Sequence, residues 1–427
     1  MLLKRYKHKR ASLLQGKRKM GAGTVIIGAG HGAGQAAASL RQLGYKEPIT
    51  LLGDEDYPPY QRPPLSKAWL AGEQSVQDIL FKPEIFWEQN GIAIRTGCPV
   101  TAIDRSAREV VCADGTRLPW AHLVIATGGH ARRLQCPGGD LPGVQVLRTL
   151  ADATALSKAM QEGRRLAIVG GGYVGLEVAA TARKRGLEVT VLEAEERVLA
   201  RVAGEAVSRF FEALHRNHGV TIRTGALAQG FDGGTRLAGV RLDERQVLPA
   251  DLALVGIGLV PNDDLAAAAG LACDNGIVVD AYCRTEDPDI YAIGDVTRHP
   301  SALYGRSLRL ESVHNALEQA KTAAMAIMGR EKPYDQVPWF WSDQYDVKLQ
   351  IAGISQGYDE TLLRGAPDNN SFAVFYFRKG ALIACDAINA PPEYMAARMM
   401  IARGKTPDRA RLADPGVPMK EIMAGAS

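Results

Sequence analysis

Short apolar runs that stop abruptly at glycine clusters punctuate this chain. V-I-I at 25–27 runs into G-A-G-H-G-A at 28–33, and L-A-I-V at 166–169 runs into G-G-G-Y-V-G at 170–175. An apolar run of this length bounded by glycines predicts a strand buried on both faces, and the helically spaced residues after it predict a helix. The first helix is expected over Gln35 to Leu43, ending near Gly44, and the second continues to about Arg185. A further apolar run closes each unit, Ile49 to Leu52 in one and Glu188 to Leu192 in the other. The pattern is β-α-β, written twice about 140 residues apart.

Two more apolar strands end in small-residue turns, L-V-I-A-T-G-G at 123–129 and A-L-V-G-I-G at 253–258, and mark where the chain crosses between domains. From Pro338 onward the texture becomes aromatic and alternating, with strands expected over Phe372 to Phe377 and Ala381 to Asp386 around Arg378, Lys379 and Gly380. The expected division is a basic extension at 1–20, a first nucleotide domain at 21–149 and 251–330, a second at 150–250 inserted in the first, and a C-terminal α+β domain at 331–427.

The glycines carry chemistry as well as geometry. A Gly-rich turn between a strand and a helix lets backbone N–H groups at the helix N-terminus approach a pyrophosphate, and the helix dipole favours its charge. Ala33 takes the third position of the first G-x-G-x-x-G/A pattern, whereas Gly170, Gly172 and Gly175 complete the second. A carboxylate at the end of the second strand accepts hydrogen bonds from ribose hydroxyls; Asp54 or Glu55 stands there in the first unit and Glu193 in the second. Glu193 favours NADH over NADPH, because a carboxylate repels a 2′-phosphate, while Arg197 four residues on works against that preference. The segment T-E-D-P-D-I-Y-A-I-G-D-V at 285–296 brings Asp295 to a strand end, positioned either for a bound dinucleotide or to cap the next helix. Two dinucleotide turns in one chain point to electron transfer between two cofactors. The fold class is α/β: two Rossmann-like dinucleotide-binding domains, the second inserted in the first, plus the C-terminal α+β domain.

Composition narrows the alternatives. The 427 residues carry 46% hydrophobic and 23% charged side chains, ordinary globular material. The net charge of +4 conceals eight basic residues and no acid within 1–20, so the remainder is mildly acidic at −4. That leader lacks the apolar core of a secretory signal and reads as a disordered extension. No run approaches the roughly 18 apolar residues of a membrane span, so a cytoplasmic protein without a membrane span is expected, and nothing suggests a nucleic-acid partner. The six cysteines, at 98, 112, 136, 273, 283 and 385, form no C-x-x-C or C-x-x-x-x-C pair. This argues against a dithiol redox centre and against a zinc or iron–sulfur site, so no metal ligands are assigned.

Beyond the glycine turns, Y-Q-R-P-P-L-S-K at 60–67, V-G-G-G-Y-V-G-L-E at 169–177, Y-A-I-G-D at 291–295, E-S-V-H-N-A at 311–316 and P-W-F-W-S-D-Q-Y at 338–345 together resemble the NADH-dependent ferredoxin reductases of bacterial oxygenase systems, of the putidaredoxin reductase type. The resemblance extends from about Thr24 to about Ile422. It implies a flavoprotein that passes electrons from NADH through FAD to a [2Fe-2S] ferredoxin. It implies further that Gly28, Gly30, Gly32 and Ala33 line the FAD pyrophosphate and that Asp54 holds the adenosine ribose. Lys67, Arg148, Asp295 and Val313 match other FAD-contacting positions, with Val100 at the adenine end. Gly170, Gly172, Gly175 and Glu193 match the NADH site, and Trp339 and Trp341 the aromatic segment beside the flavin. Lys82 and Lys321 match basic ferredoxin-docking positions, with Arg330 nearby. His314 departs from members that carry proline there, and the basic leader is additional.

Two pairs invite a physical reading. Lys67 follows the rigid Pro63–Pro64 turn and Glu177 lies two residues past Gly175, so the two are expected to meet at the flavin edge, where a cation stabilises reduced, anionic flavin; the plainer alternative is an ion pair that only holds domains together. Trp339 and Trp341, at i and i+2, share one face of an extended strand, and either line the flavin or fill a core. A rubredoxin reductase shares nearly every motif and differs in its acceptor. A slow NADH-sensing interaction protein of the apoptosis-inducing-factor type keeps both sites with little turnover.

Overall fold

The computed structural model describes residues 22–426; the basic stretch expected at 1–20 lies outside them. Two compact units emerge, one of residues 22–61, 80–129 and 261–335, the other of Arg62–Ile79, His130–Val260 and residues 336–426. The chain thus leaves the first unit at Gly129 and re-enters it at Pro261, some twenty residues before and ten residues after the positions expected from sequence. The short Arg62–Ile79 segment and the C-terminal segment belong with the second unit.

The first unit is built on a five-stranded parallel sheet in the order Ile290–Ala292, His122–Ile125, Thr24–Ile27, Ile49–Leu52, Ile92–Arg95. Thr24 to Ile27 pairs in register with Ile49 to Leu52 on one side and His122 to Ile125 on the other. All four residues of Thr24–Ile27 are buried, which explains the uninterrupted apolar run. The first helix spans His31–Gln42, four residues earlier than expected, because Gly32 and Gly34 are helical despite their poor propensity. Packing overrides propensity there: a Cβ on Gly34 would sit 2.8 Å from Phe81 Cδ1. Ala33, Ala36, Ala37 and Leu40 of this helix share a core with Ala320, Ala323 and Ala324 of helix Val313–Ile327. A three-stranded antiparallel sheet of Val100–Asp104, Glu109–Cys112 and Arg117–Pro119 adjoins.

The second unit repeats the parallel sheet, ordered Thr221–Arg223, Glu188–Leu192, Arg165–Val169, Leu252–Val255, Val144–Gln145, with helix Tyr173–Lys184 after the central strand. Its C-terminal part is a five-stranded antiparallel sheet, Trp339–Gln344, Val347–Gly353, Ala381–Ile388, Ser371–Arg378, Glu360–Ala366, carrying helix Pro391–Ala402. One core joins these two sheets: Leu176, Phe211 and Leu254 cluster with Leu349, Phe372 and Val374. Strands 371–378 and 381–388 extend the expected ones by a residue or two at their ends.

Candidate active site

Both glycine turns have the same construction. Gly28 and Gly170 occupy φ values of +112° and +106°, and each donates its N–H to the end of the neighbouring strand, at Leu52 O and Leu192 O, both 2.8 Å. A Cβ at either would collide with backbone, 2.3 Å from Ala126 O and 2.4 Å from Gly256 O, so only glycine permits these turns. At Gly30 and Gly172, the N-caps of the two helices, a Cβ would meet nothing within 4 Å and no side chain caps the helix. Neither helix N-terminus is capped by a side chain, and the space beside each N-cap glycine is open. This is the cradle a pyrophosphate requires. Gly32 lies against Ile293 and the Ala316 carbonyl, and Gly175 against the Gly170 carbonyl, while buried Ala33 packs within its helix core.

The acidic ends of the two units differ by a step in register. Glu193 directly follows Leu192, which aligns with Val169; the equivalent position in the first unit is Gly53, with Asp54 one residue beyond and exposed. Glu193 accepts hydrogen bonds from Gly171 N (2.8 Å) and Glu195 N (3.0 Å), which fix its carboxylate beside the second turn. Arg197, a residue that could have offset its selectivity, is spent elsewhere: its guanidinium holds Ala203 O (2.8 Å), Ala200 O (3.1 Å) and the Ser208 hydroxyl. In the first unit Glu55 accepts from Tyr60 Oη at 2.6 Å, while Asp54 is exposed beside that strand end, as is Asp56 two residues on.

Asp295 sits in a one-turn helix, Gly294–Val296, beyond strand Ile290–Ala292, and does not cap the following long helix, whose cap is Ser312. Buried Gln319, absent from the sequence reading, anchors this corner: its Oε1 accepts from Gly294 N at 2.7 Å and Thr297 Oγ1 at 2.9 Å. Nearby His299 is kept neutral, its pKa lowered to about 4 by burial. Val313 opens helix Val313–Ile327, and Val100 opens the strand whose approach is tied to Gly53 O through Cys98 N at 2.7 Å.

Lys67 and Glu177 do meet. Lys67 Nζ lies 2.6 Å from Glu177 Oε2, with side chains 19% and 4% exposed. Ser66 Oγ donates to the same oxygen and Ser342 Oγ to Oε1, both at 2.6 Å. All of these residues belong to the second unit. Both serines lie in motifs already singled out, but neither was assigned a role there, since each is identified only by what it faces. Arg148 enters through its backbone, donating to Asp152 and accepting from Arg62 Nη1 at 2.7 Å. Trp339 and Trp341 share a strand face with ring centroids 5.4 Å apart, and Trp339 also edges onto Tyr394. Lys82 lies over Phe81 and Phe86, and Lys321 is paired to Glu318 at 2.6 Å, so part of its charge is compensated locally.

Cys98 and Cys112, distant in spacing terms, meet through the 100–112 strand pairing, and their thiols hydrogen-bond. Burial first, then this bond, pushes the Cys112 thiol up to about 12, the opposite of an attacking thiolate. Among the described residues no group of His, Cys, Asp or Glu is arranged to hold a metal ion, and no helix is long and apolar enough to cross a membrane.

The model for the pyridine nucleotide-disulphide oxidoreductases matches residues 23–320, and that for the reductase C-terminal domain matches 339–423. The chain belongs to the pyridine nucleotide-disulphide oxidoreductase family. As a member it is a flavoprotein reductase whose cofactor is FAD and whose electron donor is a reduced nicotinamide dinucleotide. It is 45% identical over 403 residues, 94% of this chain and 98% of the other, to the 5,5′-dehydrodivanillate O-demethylase ferredoxin reductase subunit of a Sphingobium species. It is 42% identical over 409 residues, 94% and 97% of the two chains, to putidaredoxin reductase of Pseudomonas putida. The crystal structure of the covalent putidaredoxin reductase–putidaredoxin complex superposes with a TM-score of 0.92 at 41% identity, covering 95% of this chain and 99% of that one.

Proposed function

We propose that this protein is an NADH:ferredoxin reductase that passes electrons through FAD to a [2Fe-2S] ferredoxin serving a mono- or dioxygenase in the cytoplasm. The observation that carries the reading is the pair of uncapped glycine turns, each followed by a carboxylate at or just beyond the end of the next strand, with Glu193 held against the second turn by Gly171 N and Arg197 engaged with the Ala203 carbonyl. The first unit would hold FAD and residues 130–260 NADH, with residues 336–426 forming the C-terminal domain.

In this reading the backbone N–H groups at Gly30 and Gly172 take the two pyrophosphates, with Gly28, Gly32 and Ala33 shaping the first cradle and Gly170 and Gly175 the second. Asp54 and Glu193 take ribose hydroxyls, and Asp295, Val313, Val100 and Arg148 complete the FAD contacts. Bound FAD supplies a centre that accepts two electrons as hydride and releases them one at a time. The chain's own contribution is placement and charge. Lys67, held by Glu177 and the Ser66 hydroxyl, keeps a fixed positive charge where negative charge builds up on reduction. Hydride transfer moves no separate proton, so no catalytic acid or base is assigned. Trp339 and Trp341 present aromatic surface to the cofactor, and Lys82 and Lys321 steer an acidic carrier.

The test is NADH-dependent reduction of cytochrome c by the purified yellow protein, with a panel of [2Fe-2S] ferredoxins and, separately, a rubredoxin. Fast turnover requiring a ferredoxin is expected. Preference for rubredoxin would reassign the acceptor, and a long-lived reduced complex idle with every carrier would identify a sensor instead.

A further inference from the structure

The segment that follows Glu193 runs to Gly204 and is fastened at both ends. At its start, Glu193 is tied to the turn through Gly171 N, and Leu199, held at φ +57°, returns its own N–H to Gly171 O at 3.0 Å. Val202 N and Ala203 N then close on Leu199 O at 3.0 and 2.9 Å, and Arg197 clasps the Ala200 and Ala203 carbonyls. These bonds make 193–204 one rigid strap over the second glycine turn. Its far end, Gly204, caps helix Glu205–Asn217 and donates its N–H to Tyr376 Oη at 2.9 Å. Tyr376 in turn donates its hydroxyl to Asp386 Oδ2 at 2.6 Å.

Nothing in nucleotide recognition requires a fully buried carboxyl in the C-terminal sheet. Asp386 and Tyr376 are both 0% exposed, on adjacent strands, and a Cβ on Gly204 would stand 2.6 Å from the Tyr376 hydroxyl, so the contact is close-packed. Asp386 Oδ1 has no hydrogen-bond partner among the described residues. The titratable groups facing Asp386 are Tyr376 from the neighbouring strand, Tyr173 from the helix after the turn, and Cys385 on its own strand; none brings a positive charge. Burial accordingly pushes its carboxyl up to about 7, against the Tyr376 hydroxyl and the Gly204 N–H, which both act to lower it.

We propose that Asp386, acting through Tyr376 and Gly204, is a positioning residue that sets the strap over the nicotinamide-dinucleotide turn and so tunes affinity for NADH. The inference rests on the assignment of the second turn to NADH. An ionised carboxylate only accepts, so the Tyr376 hydrogen must point at it and the Tyr376 oxygen is left to receive Gly204 N–H: one arrangement, strengthened by charge. A protonated carboxyl can itself donate to the Tyr376 oxygen, which allows a second arrangement that competes with the strap. An asparagine at 386 has the same ambiguity and is locked in the neutral condition.

The test measures KM for NADH and kcat with saturating ferricyanide at pH 6.0 and 8.5 in the FAD-loaded full chain, for wild type, Asp386→Asn and Tyr376→Phe. The wild-type KM should fall about fivefold between the two pH values, the difference between a neutral and a charge-assisted bond. Asp386→Asn should remain at the low-pH KM throughout, and Tyr376→Phe should raise KM at both, with kcat within twofold in each case. A purely structural role would lower thermal stability without moving the pH profile. Amide exchange across 199–204 in wild type, corrected for intrinsic rates, should slow from pH 6.0 to 8.5, and this readout stands even where a variant fails to fold. A wild-type pH profile retained in Asp386→Asn, or exchange across 199–204 that ignores pH, overturns the inference. A wild type that NADH does not reduce at either pH overturns the assignment of the turn, and this inference with it.

Discussion

Replacing Glu177 by glutamine tests whether the buried Lys67–Glu177 pair is a matched charge set. The carboxylate is 4% exposed and receives three donors, Lys67 Nζ, Ser66 Oγ and Ser342 Oγ, each at 2.6 Å. Glutamine keeps the shape but removes the charge, and its amide nitrogen can only donate toward a hydroxyl that previously donated to it. Removing one partner of a buried pair typically costs about 3–5 kcal/mol, most of it from the stranded charge. Lys67 retains 19% exposure and reaches Pro63 O and Ser66 Oγ at 3.4 Å, which partly solvates it and places the expected loss near the lower end, ~3 kcal/mol. For a unit of this size that corresponds to roughly 6–12 °C in Tm. The assay is urea unfolding of FAD-loaded wild type, Glu177→Gln, Lys67→Met and the double variant. The double variant should be less destabilised than the sum of the two single changes by at least ~2 kcal/mol, because neither charge is then stranded. Additive losses, or a Glu177→Gln midpoint equal to that of wild type, would refute the matched-set account. Flavin reduction by NADH on the same samples separates stability from the electrostatic role: Lys67→Met should slow reduction even where it is folded.

Gly170→Ala forces a side chain into φ +106° and a 2.4 Å approach to Gly256 O, so kcat/KM for NADH should fall by roughly tenfold or more while the FAD absorbance per chain stays constant; loss of FAD instead would mean the turn serves the other cofactor. Glu193→Gln should weaken NADH binding while narrowing the preference over NADPH, and Glu193→Arg should reverse it; steady-state kinetics with both nucleotides decide, and an unchanged ratio would exclude Glu193 from ribose recognition. Asp386 has a folded pKa raised to about 7 by burial, so its contribution to stability is complete below the unfolded value and is lost as pH rises through about 7. At about 1.4 kcal/mol per unit, wild type should lose up to ~4 kcal/mol relative to Asp386→Asn between pH 4 and pH 8. Urea midpoints at both pH values measure this, and a pH-independent difference between the two proteins would contradict the buried carboxyl's titration.

The features legible in the chain are those that a few neighbouring residues impose on their own backbone. Gly28 and Gly170 announce turns because no other residue accepts those φ values against a strand end, and runs such as Thr24–Ile27 announce strands because every position is buried. The Glu193 carboxylate was legible too, since its place one step beyond a strand follows from register alone. The helix start at His31 was missed because local propensity penalises Gly32 and Gly34, whereas Phe81, supplied from far along the chain, makes a glycine necessary at position 34. Side-chain partners belong to the same class of long-range facts. Ser66 and Ser342 reach Glu177 across 111 and 165 residues, Cys98 finds Cys112 through a strand pairing, Arg197 turns to Ala203 and Ser208, and Tyr376 joins Gly204 to Asp386. A hydroxyl or carboxylate has no preferred partner in the unfolded chain. Its partner is chosen only when packing removes water and leaves each buried polar atom whatever donor or acceptor the fold has brought alongside.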